Sequence, residues 1–174
     1  MNPVIENIMT RRSIRSFTDK KIPRRDLETI VKAGIYAPSA MNRQLWHFTV
    51  ITSESAISAL AAAIAKELGR DSGYNFYKPT AMIAVSCSDG TDYYREDCAC
   101  ALENIFLAAH SLGIGSVWIN QLNGICDRPD IRKQLDALGI PSGNRVWGMA
   151  ALGYAAPDQL ERKPKNPDVV NWVE

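Results

Sequence analysis

The stretch from residue 92 to residue 112 constrains the fold most, because it is the longest helix that the sequence predicts. In its second half apolar residues occur nearly all round the helix: Ala101, Leu102, Ile105, Phe106, Ala109 and Leu112. A helix that is apolar on most of its sides has to be covered by other elements. We therefore predict that this helix lies at the centre of the fold and that Gly113 ends it.

Shorter elements are expected around this helix, and their periodicity assigns each as a helix or a strand. Four further helices are predicted. The first begins at Asn2-Pro3, the second covers 24–36, the third follows Ser53 and the fourth covers Pro129–Leu138. The predicted strands are Trp46–Thr52, Ala81–Ser86, Ser116–Asn120 and Arg145–Tyr154. Helices and strands alternate without a strict βαβ rhythm. The fold class is therefore α+β, a mixed β-sheet surrounded by helices.

The composition is that of an ordinary globular protein, and we expect one domain over residues 1–174. The 20 basic and 19 acidic side chains give a net charge of +1, which offers no reason to expect nucleic-acid or membrane binding. Glu6 and Arg11 stand where a signal peptide would need an apolar run, and no uncharged run is long enough to span a bilayer. The sequence therefore predicts a cytoplasmic protein.

Several common types of site find no support in the sequence. The four cysteines, Cys87, Cys98, Cys100 and Cys126, show no C-x-x-C spacing, so we expect spectator thiols and no metal site. His47 and His110 lack the serine and carboxylate neighbours of a hydrolase. The glycines at 113 and 115 lack a third glycine and follow a helix, so they do not form a dinucleotide fingerprint. There is no Walker loop either.

The segment from Arg11 to Phe17, here called the arginine segment, reads RRSIRSF and is the first candidate site. Arginine presents a planar fork of donors that matches the oxygens of a phosphate, and Ser13 adds a short donor. Ile14 and Phe17, on either side of Arg15, can anchor the segment to a core. Taken alone, the motif is equally compatible with a solvated basic turn.

Two further segments carry groups suited to binding. The loop from Pro38 to Trp46 presents Ser39, Asn42 and Gln44, which suit a neutral ring with donors and acceptors better than a charged ligand. A plain capped loop is the alternative. Near the C-terminus, Arg162 and Lys163 form a second basic point, which alone would be a solvated pair.

Together these motifs resemble the FMN-dependent nitroreductase family, in order and through nearly the whole chain. The matches are RRSIRSF at 11–17, PSAMNRQLW at 38–46, Glu103-Asn104 with Ala108-Ala109, LGIGSVWI at 112–119 and RKP at 162–164. One departure is Leu45, where the family usually has proline. Little chain is available between residues 120 and 145 for the helical excursion that shapes substrate pockets in larger members.

The resemblance implies an obligate homodimer with two FMN molecules at the subunit interface. It assigns the phosphate to Arg11, Arg12, Ser13, Arg15, Arg162 and Lys163. It assigns the ring system to Pro38, Ser39, Asn42 and Gln44 of the partner subunit. The reactive edge of the flavin would face backbone groups of Ile119, Asn120 and Gln121, and its pyrimidine side would face Asn75. The apolar segment 169–173 would belong to a C-terminal arm exchanged between subunits.

The implied activity is NAD(P)H-dependent reduction of nitroaromatic, quinone or similar flat acceptors by ping-pong hydride transfer. The chemistry would take place on the flavin, so we nominate no side chain as catalytic. Two alternatives stay open at this point. One is a different flavin reaction on the same fold, such as dehalogenation or dehydrogenation. The other is a non-catalytic FMN-binding protein or a module that interacts through its basic segment.

Overall fold

The computed structural model describes residues 1–88, 92–157 and 164–174, and every predicted helix and strand is present in them. The helices are α1 (Pro3–Thr10), α2 (Arg24–Ile35), α3 (Glu54–Glu67), α4 (Tyr94–Ser111) and α5 (Pro129–Ala137). The strands are β1 (His47–Ile51), β2 (Ala81–Ser88), β3 (Gly115–Ile119) and β4 (Asn144–Gly153). A short 3-10 helix, Ala40–Asn42, lies between α2 and β1.

The four strands form one sheet in the order β1-β2-β4-β3, and every neighbouring pair is antiparallel. The α+β class is confirmed. The sheet differs from the expected mixed one, because the parallel pairing among the described residues is the isolated bridge between Ser13 and Ser116. A strand's apolar pattern says that it is buried but does not specify the direction of its neighbour.

Helices cover both faces of the sheet, which explains why β2 is apolar without alternation. Ala81, Ile83 and Val85 pack into the cluster that contains residues of α2 and α4. Met82 and Ala84 point to the other face and pack into the cluster that contains residues of α3 and α5. The core therefore consists of two layers that share the central strands.

Helix α4 lies at the centre of its layer, as the sequence predicts. Leu102 and Ile105 are fully buried, and Nδ2 of Asn104 donates to the carbonyl of Ala33 in α2 over 2.9 Å. Gly34 permits this close approach, because a Cβ there would lie 3.0 Å from Ile105. No helix in the described parts of the chain has both the length and the apolar character needed to cross a membrane.

Candidate functional site

The arginine segment is held against the sheet by main-chain hydrogen bonds. The Ile14 amide donates to the Ser116 carbonyl of β3 over 2.9 Å. Further along, the Thr18 amide donates to the Tyr154 carbonyl over 2.9 Å, and the Ala156 amide donates to the Ser16 carbonyl over 3.0 Å. The segment thus lies beside β3 and beside the continuation of β4, so that Arg15 is fixed from both sides.

Two glycines make room for the apolar anchors of this segment. Ile14 is buried, and a Cβ on Gly115 would lie 2.9 Å from its side chain. Phe17 packs in the same way, because a Cβ on Gly153 would lie 2.8 Å from its ring. The prediction that Ile14 and Phe17 anchor the segment is confirmed. Arg15, between these anchors, and Arg11 and Arg12, just before them, therefore extend from a backbone that is packed against the sheet.

Replacing Gly115 by alanine is expected to destabilise the fold by about 1–3 kcal/mol, the usual cost of overpacking. The added methyl group would push Ile14 away from β3 and shift the arginines with it. Urea denaturation would measure the loss. Gly143→Ala is the matched control, because a Cβ there would meet no atom within 4 Å. Equal unfolding midpoints for the two variants would contradict the anchoring role.

Helix α1 delivers Arg11 to the surface of α4. Asn7 Nδ2 donates to the Leu107 carbonyl over 3.0 Å, and Thr10 Oγ1 lies 2.9 Å from His110 Nε2. Since the Thr10 hydroxyl donates its hydrogen to the Glu6 carbonyl over 2.6 Å, we assign the proton of the second bond to Nε2. These two contacts fix the end of α1, and therefore the start of the arginine segment.

The side chain of Arg11 lies between a carboxylate and an aromatic ring of α4. Its Nε is 3.8 Å from Glu103 Oε1, and its guanidinium carbon is 6.0 Å from the centre of the Phe106 ring. Phe106 in turn contacts Trp118 of β3, with 5.9 Å between ring centres. Sequence analysis did not find Phe106 and Trp118 as neighbours of the site. The i, i+3 spacing of Glu103 and Phe106 is the signal that places them on one helix face.

The loop from Pro38 to Leu45, here called the amide loop, is shaped by its own polar side chains. Ser39 Oγ accepts from the Gln44 amide over 3.1 Å, and Gln44 Nε2 donates to Asn42 Oδ1 over 2.8 Å. Met41, Asn42 and Gln44 all adopt positive φ angles between 51° and 54°. Such angles cost energy for residues other than glycine and occur often at functional sites. The bonds hold Ser39, Asn42 and Gln44 together on one exposed loop.

Within one chain, the amide loop and the arginine segment contact different sides of α4. The Ala40 amide donates to Asp97 Oδ1 over 2.9 Å, whereas Arg11 contacts Glu103. Glu103 is six positions after Asp97, which places the two about 120° apart around a helix of 3.6 residues per turn. The structure therefore does not bring together, in one subunit, the two sets of residues that sequence analysis assigned to phosphate and ring.

Ile119 ends β3, the strand that the arginine segment contacts, and Asn120 and Gln121 follow it. Ile119 follows Ser116 by three residues, about 10 Å along a strand. Ile119 is buried, Asn120 is exposed, and Gln121 Oε1 is a buried acceptor with no hydrogen-bond partner in the described part of the protein. A buried acceptor without a donor is costly, which makes Gln121 a candidate to accept a hydrogen bond from a group outside these residues.

Asn75 lies in a strained turn beside a surface cavity of about 690 Å³. Its side chain accepts from the Tyr77 amide over 3.1 Å, and the next three residues, Phe76 to Lys78, have φ angles of 53–69°. The cavity is also lined by Lys21, which follows the arginine segment, and by Lys78, which sequence analysis missed. Burial raises the pKa of Tyr74, at the same cavity, to about 12, so that its hydroxyl stays protonated.

The basic pair Arg162 and Lys163 lies outside the described residues. Upstream of this pair, Ala156 lies beside the arginine segment, because its backbone amide donates to the Ser16 carbonyl. The part of Arg162 and Lys163 in the site stays a prediction.

In the described residues, none of the cysteines contacts the arginine segment or the amide loop through the hydrogen bonds and ion pairs described above. Cys87, Cys98 and Cys126 are buried free thiols, and Cys100 is exposed. Burial is the main cause that raises the pKa of Cys98 to about 12, with smaller contributions from Cys87 and Asp97. Cys98 is therefore a neutral, unreactive thiol at physiological pH.

Comparison with known proteins identifies the family. The family model described as "Nitroreductase family" matches residues 8–83 and 73–154. A protein of Archaeoglobus fulgidus, named for NADH dehydrogenase and NAD(P)H nitroreductase, is 38% identical over 162 residues, which cover 88% of this chain and 86% of the relative. The iodotyrosine deiodinase of Thermotoga neapolitana is 26% identical over 182 residues, which cover 93% of each chain.

Structure comparison agrees with the sequence match. A nitroreductase of Bacteroides fragilis, crystallised with bound FMN, has a TM-score of 0.93 and 39% identity, and the match covers 100% of both chains. The fold, the anchored arginine segment and the family match together define a flavoenzyme scaffold. The chain belongs to the nitroreductase family.

The residues present fit FMN in their chemistry. The arginine segment supplies cationic donors on a rigid backbone, the amide loop supplies neutral donors and acceptors, and Gln121 supplies a buried acceptor without a partner. An anionic phosphate and a neutral ring with polar edges require these types of group.

Proposed function

We propose that this protein, an FMN-dependent NAD(P)H oxidoreductase, reduces nitroaromatic, quinone or similar flat acceptors by ping-pong hydride transfer. The single observation that carries the proposal is the arginine segment, anchored by Ile14 and Phe17 beside β3. Bound FMN would accept hydride from the nicotinamide and pass it to the acceptor. A cytoplasmic location stays a prediction.

The arginine segment would hold the phosphate. Arg11, Arg12, Ser13 and Arg15 supply the donors, and Arg162 and Lys163 would complete the cage. Arg15 and Ser13 are exposed, while Arg11 and Arg12 are half-buried, so the donors lie at the surface on a fixed backbone. A dianion bound there would face cations that need no rearrangement of the main chain.

The ring system would be held between two subunits. Pro38, Ser39, Asn42 and Gln44 would come from the partner, which agrees with the different sides of α4 that the amide loop and Arg11 contact. Backbone groups of Ile119, Asn120 and Gln121 would face the reactive edge, and Asn75 the pyrimidine side. Apolar residues that α1 exposes, Val4, Ile5, Ile8 and Met9, support a homodimer interface beside this site.

Dehalogenation is the second candidate, favoured by the deiodinase relative at 26% identity. Between β3 and β4 the described chain has only turns and the nine-residue helix α5. A short connection of this kind adds no large lid over a substrate, which favours exchange of flat acceptors at an open ring face. A third candidate function is non-catalytic FMN binding.

The experiment that separates these readings is anaerobic spectroscopy of the purified protein. We expect a yellow protein with a flavin spectrum that NADH or NADPH bleaches and that a quinone or nitroaromatic restores. Steady-state rates should give parallel double-reciprocal lines, because donor and acceptor occupy the same ring face in turn. Intersecting lines would contradict the mechanism, and a flavin that neither nicotinamide bleaches would favour a non-catalytic role. Rapid turnover of halogenated phenols with poor turnover of quinones would favour dehalogenation.

A further inference from the structure

One face of α4 carries both the attachment of α1 and the neighbours of Arg11. Glu103, Phe106, Leu107 and His110 follow each other at i, i+3, i+4 and i+7, so they lie in one stripe along the helix. The last two hold α1 through Asn7 and Thr10. The first two contact the guanidinium of Arg11.

The two neighbours of Arg11, Phe106 and Glu103, would affect a bound phosphate differently. Phe106 is buried and uncharged, and an aromatic face attracts a guanidinium without repelling an anion. Glu103 carries a full negative charge, and its side chain is 53% exposed. The 3.8 Å between Arg11 Nε and Glu103 Oε1 exceeds a hydrogen-bond distance, so the two groups form a loose ion pair.

We propose that Glu103 is the exchangeable counter-ion of Arg11 and that it lowers the affinity of this site for phosphate. The inference rests on the proposed function, which places a phosphate at Arg11. Without that ligand, Glu103 neutralises the guanidinium. A bound phosphate has to compete with this carboxylate and then lies close to its negative charge. Phe106 keeps the guanidinium in place in both states, so that Glu103 sets how tightly FMN is retained.

The test is the variant Glu103→Gln in the full-length protein, titrated with FMN and with riboflavin, which lacks the phosphate. We expect the Kd of FMN to fall about two- to fivefold, the range of one exposed ion pair. The Kd of riboflavin should not change. Dissociation of FMN from the flavin-loaded variant should slow by the same factor. In 1 M salt the difference should vanish, because screening then acts over about 3 Å.

Glu67→Gln is the matched control, since Glu67 Oε1 pairs with Arg128 Nε at 3.2 Å and the substitution changes the net charge equally. It should leave both Kd values unchanged. Glu103→Ala is a second variant, expected to act in the same direction as Glu103→Gln. An FMN Kd that stays the same or rises in both Glu103 variants overturns the proposal, and so does an equal change for riboflavin. Wild-type protein that binds FMN no more tightly than riboflavin overturns the phosphate assignment itself, which separates the two failures.

Discussion

Replacing both Arg11 and Arg15 by alanine is expected to raise the Kd of FMN at least about 100-fold and to yield colourless protein. A hydrogen bond to a charged group contributes about 1.5–3 kcal/mol, and two of them correspond to roughly 10²–10⁴ in affinity. The fold should persist, because the backbone bonds of Ile14 and Thr18 do not depend on these side chains. Flavin absorbance per subunit measures the first effect, and thermal unfolding measures the second.

The matched control for this variant removes two arginines elsewhere. Arg25 and Arg128 are exposed and pair with Asp26 and Glu67, so their joint replacement by alanine changes the net charge equally. The control protein should remain yellow. Normal flavin content in the Arg11 and Arg15 variant would contradict the assignment of the phosphate site, whereas equal loss in both proteins would indicate an effect of net charge alone.

The sequence specified the elements of this fold well where burial dictates composition. Helix α4 and strand β2 lie in the core, so their apolar patterns are continuous and their assignments are correct. Helix α1 was found from its start, because Asn2 caps it and Pro3 fits its first turn. The direction of strand pairing could not be read in this way. It depends on which edges meet in three dimensions, and no local pattern encodes that choice.

The site was predictable only in part for a related reason. Ile14 and Phe17 flank Arg15 in the sequence, so their anchoring role could be inferred locally. The contact between Arg11, which follows the end of α1, and Glu103 of α4 joins residues far apart in the sequence, and no local pattern predicts it. The positive φ of Met41 is equally hidden, because an ordinary side chain gives no sign of a conformation that usually favours glycine.

An open sheet edge bears on how two subunits would combine. Among the described residues, β1 pairs with β2 alone, so its other edge has no neighbouring strand. Beside that edge lies a groove of about 540 Å³, lined largely by apolar side chains that include Leu27, Val31, Ile35 and Val50. An uncovered edge next to an apolar groove is a place where another chain can add a strand.

The C-terminal segment 169–173 of the same chain is apolar and exposed, which complements the apolar groove beside β1. Val169, Val170, Trp172 and Val173 are between 64% and 90% exposed in the single subunit. Exposure of this kind is unfavourable in water, and the prolines at 164 and 167 prevent a helix from continuing through this part of the chain. We therefore propose that the segment adds to the open edge of β1 in the partner subunit and that its apolar side chains enter the groove. Two-fold symmetry would repeat the exchange.

Deleting the chain from Lys165 onward is therefore expected to weaken dimerisation and FMN retention together. Burial of several large apolar side chains contributes several kcal/mol, so the dimer Kd should rise at least about 100-fold. FMN should be lost in parallel, because the amide loop that holds its ring would belong to the partner.

Val50→Lys should reproduce both effects in a full-length chain by placing a charge in the groove. Leu68→Lys is its control, since Leu68 is equally exposed at the end of α3 but does not line the groove. Sedimentation measures the dimer, and flavin absorbance measures retention. If the truncated protein stays dimeric and fully yellow, the arm is dispensable and contacts such as those offered by α1 hold the subunits together.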